Sequence, residues 1–267
     1  MDGTLLRDDK TIAGEDVDAI RLAASRDIAV TLSTGRLTTG ALPTARELGL
    51  STPLICADGS VLVDVSTGAY LEQRSIRREH AERAVLTLFE HGLTPYVFMA
   101  DAIHCEAAGE RQRAFVDTWT REMVVHASLV GASLWQQPEG VAVTLGIGDE
   151  GTVARAAEQL SVQHGDELDT VHFTLGGSSV WGVRSLRRGC DKGQMLASLA
   201  RRMALPRERV AVVGDWLNDL GMFEYAGRSF AMGHAPPVVR AAATHVLTAT
   251  SHAGGGVAEA IKALLST

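Results

Sequence analysis

Four short stretches of the sequence combine carboxylates, hydroxyls, an amide and a lysine with glycine turns. They are Asp2-Gly3-Thr4-Leu5-Leu6, Thr34-Gly35-Arg36, Lys192-Gly193 and Gly214-Asp215-Trp216-Leu217-Asn218-Asp219. Together they make a phosphate-and-cation inventory. A hard oxygen ligand such as Asp215 suits Mg2+, which keeps several waters and takes only one or two carboxylates plus substrate oxygens. The Thr34 hydroxyl, amides at glycine turns and the Lys192 ammonium can hold the remaining phosphoryl oxygens. In-line phosphoryl transfer asks for positioning and charge neutralisation above all, and this set supplies both. Each piece alone has a plainer reading: Asp-Gly is usually a turn, and a lysine at a helix start is usually solvated. The order of the four, each at a strand end or a helix start, is what points to one site.

The elements that must position these residues follow from hydrophobic periodicity. Residues 15–26 read as a helix with Val17, Ile20, Leu22 and Ala23 on its apolar side. Residues 28–33 read as a buried strand running into the Thr34-Gly35-Arg36 turn, 37–48 as a helix, and 53–56 as a short strand stopped by Asp58-Gly59. Towards the other end, 192–204 is helical, 210–213 a strand broken at Gly214-Asp215, 219–226 a helix and 229–232 a strand. In open parallel sheets, ligands bind beyond the carboxyl ends of the strands, where the four stretches fall. The middle has a different texture: helices at 78–91, 110–122 and 151–160 alternate with strands at 94–99, 141–147, 171–175 and 180–183. The fold expected is α/β: a discontinuous Rossmann-like core of parallel strands, residues 1–78 and 186–267, with an inserted α+β domain at 79–185.

Composition narrows the class. The chain has 267 residues, 46% hydrophobic and 21% charged, enough for a sizeable core without disulfide staples. Three scattered cysteines, Cys56, Cys105 and Cys190, make no disulfide framework and fit a reducing, cytoplasmic setting. No apolar run reaches the roughly 18 residues of a membrane span. A formal net charge of −7 disfavours nucleic acid as a partner. The pairs Arg77-Arg78, Arg187-Arg188 and Arg201-Arg202 have acidic neighbours and no aromatic interleaving, so they read as solvated faces. Gly146-Ile-Gly148-Asp-Glu-Gly151 fits a dinucleotide-binding pattern, but Asp149 is more simply the N-cap of the helix that follows. Nine histidines show no zinc spacing, and Trp119, Trp135 and Trp181 read as core of the insertion.

With these motifs in place, the chain resembles the haloacid dehalogenase superfamily of Mg2+-dependent phosphatases, more narrowly its Cof-type branch with a large cap. Asp2-Gly-Thr-Leu-Leu matches the end of the first motif, Asp-x-Asp-Gly-Thr-Leu. Thr34-Gly-Arg matches the second, Lys192-Gly the third and Gly214-Asp-x-x-Asn-Asp the fourth. Leu54-Ile-Cys-Ala-Asp-Gly-Ser60 is similar to the branch's strand ending in Asn-Gly-Ala, with Asp58 in the Asn position. Phe230-Ala-Met-Gly-His-Ala235 is similar to its Ala-Met-Gly-Asn-Ala segment. The resemblance implies a phosphomonoester hydrolase using Mg2+ and a small phosphorylated metabolite. It makes Asp2 the general acid/base and a metal contact, Thr34 and Lys192 the phosphoryl holders, Asp215 a direct metal ligand and Asp219 an outer ligand or orienter. Asn218, with Gly35, Arg36, Asp58 and Gly59, falls on the substrate side, and the insertion becomes a cap that selects the leaving group.

One departure stands out. The family's nucleophile is the first Asp of the opening motif, two positions before the acid/base, and here that position precedes Met1. The first central strand of the sheet, which runs into that motif, is missing as well. Losing a central parallel strand strips its neighbours of ladder partners, a cost that a net stability of about 5–15 kcal/mol does not absorb. The expectation is a native start roughly six to ten residues upstream, one strand's length. The alternative is a catalytically inactive protein that keeps the Mg2+ and phosphate cradle and only binds ligand.

Overall fold

The computed structural model describes residues 1–99, 101–138, 140–175 and 179–266. They group into two compact units: Met1–Thr34, Leu42–Tyr70 and Asp191–Thr267 form the first, Gly35–Ala41 and Leu71–Cys190 the second.

In the first unit, Ala211–Gly214, Arg228–Ala231 and His245–Val246 form a parallel sheet in that order. Leu54–Cys56 turns back on Val61–Val63 as an antiparallel pair. Between these two strands Asp58 sits at φ 53° and Gly59 at φ 99°, conformations that make the reversal tight. A Cβ on Gly59 would run into the Asp191 carbonyl, so only glycine lets this turn meet the start of the helix Lys192–Arg202. That helix buries Met195, Leu196 and Leu199 against Ile55, Leu62, Val212 and Phe223. Its N-cap is Asp191, whose carboxylate accepts from the Gln194 N–H at 2.8 Å.

The helix Gly14–Ala24 packs against Gly256–Leu265 at the far end of the chain. Their link is Asp16, fully buried, whose carboxylate accepts from the Gly255 N–H at 2.9 Å and the Ala258 N–H at 2.8 Å. A negative charge there satisfies two of the donors that open the last helix and faces the positive end of its dipole.

Residues 28–33, expected as a strand, do not form one. Among the described residues their ladder is a single parallel bridge between Ser33 and Ile55, with the Ile55 N–H on the Leu32 carbonyl. Among the described residues, Ala211–Gly214 is paired on one side only, by Arg228–Ala231. Between these two runs lies an apolar slot of about 500 Å3, lined by Leu32, Ile55, Leu196, Leu199, Val212 and Ile261 among others. A strand needs a neighbour to complete its hydrogen bonds, and on that side residues 28–33 face a cavity instead.

The second unit is built on a six-stranded sheet ordered Met123–His126, Ile103–Glu106, Thr94–Phe98, Val143–Gly148, Trp181–Arg187, Leu168–Thr174. The helices Arg78–Glu90 and Glu150–His164 pack on it through Ala81, Val85, Leu88, Val153 and Leu160. Asp149 caps the second of these, accepting from the Thr152 N–H at 3.0 Å, as the plainer reading of the glycine pattern had it. The helix expected at 110–122 is only Arg113–Val116, preceded by a tighter turn at Ala107–Gln112, and Met123–His126 is strand.

Replacing Asp16 by Ala leaves two helix-opening N–H groups without an acceptor. It is expected to cost about 2–3 kcal/mol in urea unfolding, whereas Asp16→Asn, which keeps an acceptor oxygen, costs less. Equal losses for the two variants would contradict the capping role.

Candidate active site

The hub of the site is a buried ion pair. Lys192 opens its helix with its side chain turned inward, and its Nζ lies 2.7 Å from Asp219 Oδ1, both side chains about 5% exposed. The other Asp219 oxygen accepts from the backbone N–H of Asp215 at 3.0 Å and of Trp216 at 3.2 Å. One carboxylate thus ties the third motif to the backbone of the fourth. The Gly214–Asp219 loop closes over its own end, and Gly214 lies so close to Asp219 that a Cβ would collide with that side chain. Burial pushes the Asp219 carboxyl up, but the Lys192 ammonium and the hydrogen bonds it accepts hold it below the ordinary carboxylate value. Burial likewise pushes Lys192 down, and the carboxylates of Asp219, Asp58 and Asp215 more than reverse it.

Asp215 occupies the next position. Its Oδ1 accepts from the Thr4 hydroxyl, and its Oδ2 lies 3.8 Å from His234 Nε2. Gly3, at φ 73°, passes so close that a Cβ would strike the Asp215 carboxylate. The amino-terminal turn is therefore seated directly against the fourth motif. Burial pushes the Asp215 carboxyl above its ordinary value, opposed in part by the hydrogen bond from the Thr4 hydroxyl. Asp2 lies in the same turn and pairs with Lys10 at 3.2 Å.

Thr34 and Asp58 complete the ring. Buried Thr34 is placed by its N–H on the Ile55 carbonyl at 2.9 Å, and its own carbonyl accepts from the Asp58 N–H at 3.0 Å. The Asp58 side chain accepts from Asn218 Nδ2 at 2.7 Å, linking the reversal after the 54–56 strand to the fourth motif. Asn218, expected on the substrate side, has its amide on Asp58. Gly59 serves packing at the helix start. Gly35 and Arg36 group with the second unit, where Arg36 reaches the Gly40 carbonyl at 3.4 Å. Thr34, Asp58, Lys192, Asp215, Asn218 and Asp219 are thus brought together with the Asp2–Thr4 turn. Two members had no assigned role in the sequence reading. Thr4 was visible in Asp-Gly-Thr, and His234 in the quoted Phe230–Ala235 segment.

The donor set fits Mg2+. Asp215 is a partly buried carboxylate whose side chain accepts one hydrogen bond among the described residues, which leaves oxygen lone pairs for a cation. Among the described residues, no three His, Cys, Asp or Glu side chains gather into a metal site of their own. Both Asp219 oxygens are engaged, one by Lys192 and the other by two backbone N–H groups.

The chain matches a family model described as haloacid dehalogenase-like hydrolase over residues 1–261. It is 27% identical to the pyridoxal phosphate phosphatase YbhA of Escherichia coli K12, covering 92% of this chain and 90% of that protein. It is also 27% identical to the 5-amino-6-(5-phospho-D-ribitylamino)uracil phosphatase YcsE of Bacillus subtilis, covering 98% and 92%. Among solved structures, a haloacid dehalogenase-like hydrolase from B. subtilis superposes with a TM-score of 0.84 at 25% identity, over 98% of this chain and 97% of that one.

Removing one partner of the buried pair strands the other charge. Lys192→Met is expected to cost about 3–5 kcal/mol in urea unfolding, and Lys192→Met with Asp219→Asn less than that single change; simple additivity would contradict the pairing. With Asp219 lowered and Lys192 raised, the pair's contribution is complete between the ordinary carboxylate and lysine pKa values. It is lost as pH falls through the folded-state value of Asp219 or rises through that of Lys192.

Proposed function

The chain belongs to the haloacid dehalogenase-like hydrolases, and we propose that it is a Mg2+-dependent phosphomonoester hydrolase of a small phosphorylated metabolite, working through an aspartyl-phosphate. The observation that carries this reading is the convergence of Thr34, Asp58, Lys192, Asp215 and Asp219 with the Asp2–Thr4 turn. Relatives named for pyridoxal phosphate, for a phosphoribitylamino-uracil and for HMP-PP support the substrate class.

In this reading Lys192 and the Thr34 hydroxyl hold phosphoryl oxygens, and Asp219 fixes Lys192 so that little reorganisation is needed as charge develops. Mg2+, when bound, neutralises charge on the phosphoryl oxygens; Asp215 and Asp2 are the residues that would hold it. Asp2 gives a proton to the leaving oxygen as the phosphorus–oxygen bond breaks, then takes one from the water that hydrolyses the aspartyl-phosphate. The second unit, with Gly35 and Arg36 grouped in it, serves as the cap and selects the leaving group. Three free, buried cysteines suit a cytoplasmic setting.

The attacking carboxylate belongs, in this proposal, to a strand that fills the slot between residues 28–33 and Ala211–Gly214. What supports this is the slot itself. It is apolar and lies between one run with a single bridge and one strand paired on one side only; Met1 and Thr4 are among the residues that line it. A strand there would gain ladder bonds on both sides and deliver its end to Asp215 and Lys192.

The test is Mg2+-dependent phosphate release from p-nitrophenyl phosphate by the chain as written and by a form extended upstream by one strand. The extended form is expected to turn over and to stop on chelation of Mg2+, and the shorter form to be silent. Release by neither would overturn the hydrolase reading and leave a ligand-binding protein. Full activity of the shorter form would overturn the assignment of the slot.

A further inference from the structure

The segment Phe230-Ala-Met-Gly-His-Ala235 sets a histidine just beyond the strand Arg228–Ala231, and the fold brings its side chain to Asp215. The backbone on either side of His234 is held. The Gly233 N–H donates to the Ala249 carbonyl at 2.9 Å, and the Ala235 N–H to the Met232 carbonyl at 3.0 Å. Residues 248–249 are fixed in turn, because the carboxylate of Glu259 on the last helix accepts from the Thr248 N–H at 2.9 Å and the Ala249 N–H at 3.0 Å. A continuous run of backbone contacts therefore carries the position of that helix to His234.

The ring itself is held as well. Its Nδ1 accepts from the Ser251 N–H at 3.2 Å. A neutral imidazole has one acceptor nitrogen and one N–H, and a doubly protonated ring has no acceptor at all. With Nδ1 accepting, the hydrogen is on Nε2, the nitrogen that lies 3.8 Å from Asp215 Oδ2. That distance exceeds a direct hydrogen bond, but one water or a small turn of either side chain completes the link. The tautomer also settles what His234 does not do. An Nε2 that carries hydrogen has no lone pair to give a cation, so this histidine stands outside the ligand shell.

Asp215 thus has a donor for each oxygen, the Thr4 hydroxyl on Oδ1 and the His234 Nε2–H beside Oδ2. A carboxylate offers about four lone-pair sites, so both donors can be met with room left for a cation. We propose that His234 is a positioning residue for the cation site, its Nε2–H orienting the Asp215 carboxylate through Oδ2. The proposal rests on the reading of Asp215 as a Mg2+ ligand. Groups that stand behind a ligand fix its direction, and their loss weakens metal binding although they never touch the ion.

The experiment is calorimetric titration of Mg2+ into the parent chain and its His234 variants, with long-range proton–nitrogen NMR of the parent's imidazole. An Asn amide ends near the position of Nδ1 and a Gln amide near that of Nε2, so these two variants separate the Ser251 contact from the Asp215 contact. His234→Ala and His234→Asn are expected to bind Mg2+ about tenfold more weakly than the parent. His234→Gln is expected to recover most of that loss, and the parent spectrum to show Nδ1 bare and Nε2 protonated. A His234→Ala variant with the parent's affinity would overturn the role of His234 while leaving Mg2+ at Asp215 standing. So would an Asn variant as tight as the Gln one, a Gln variant as weak as the Ala one, or hydrogen on Nδ1. Absence of Mg2+ binding by the parent chain would overturn the reading of Asp215 and this proposal with it.

Discussion

The Lys192–Asp219 pair is the constraint on which the rest of the site depends. Two opposite charges removed from water cost several kcal/mol each unless their geometry is good and their remaining hydrogen-bonding capacity is used. Here the second oxygen of Asp219 takes two backbone N–H groups, so the conformation of the 214–219 loop is part of the solution to burying the lysine. Asp215 is aimed by that loop, and so is Asn218. A lysine is a compact point charge, which suits the phosphoryl contact proposed for it, and the paired carboxylate keeps it ionised while desolvated. Stability and chemistry draw on the same contact.

What the chain must do around that contact explains several otherwise arbitrary choices. Gly59 exists because the Asp191 carbonyl occupies the space of a Cβ, and Gly3 because the Asp215 carboxylate does. Both glycines bring backbone to within touching distance of the site from elements far away in sequence. The slot between residues 28–33 and Ala211–Gly214 has the same logic in reverse. Residues 28–33 and Ala211–Gly214 face each other across an apolar gap, and among the described residues no strand pairs with either of them there.

The site was legible in the sequence because its members sit where elements change: a glycine turn after an apolar run, or the first turn of a helix. The helices Arg78–Glu90, Glu150–His164 and Lys192–Arg202 showed in their periodicity, and Ala211–Gly214 in its β-branched run. Other features carry no local mark. The Asp58–Asn218 hydrogen bond joins residues 160 positions apart, and Asp16 caps a helix more than two hundred residues away. The strand Ile103–Glu106, reading Ile-His-Cys-Glu, lacks the alternation that announces a strand, although three of its four residues are buried. Residues 110–122 carry helical periodicity, but only Arg113–Val116 is α-helical, and Met123–His126 just beyond pairs with Ile103–Glu106 in the sheet.

The central claim is that one cation and one phosphoryl group share the neighbourhood of Asp215 and Lys192. If they do, each must raise the other's affinity by the same factor, since the coupling is reciprocal. Calorimetric titration of inorganic phosphate with and without Mg2+, and of Mg2+ with and without phosphate, measures that factor in both directions. The account predicts equal, mutual enhancement in the parent chain and its disappearance in Asp215→Asn. Independent binding of the two, or an enhancement that survives Asp215→Asn, would contradict it.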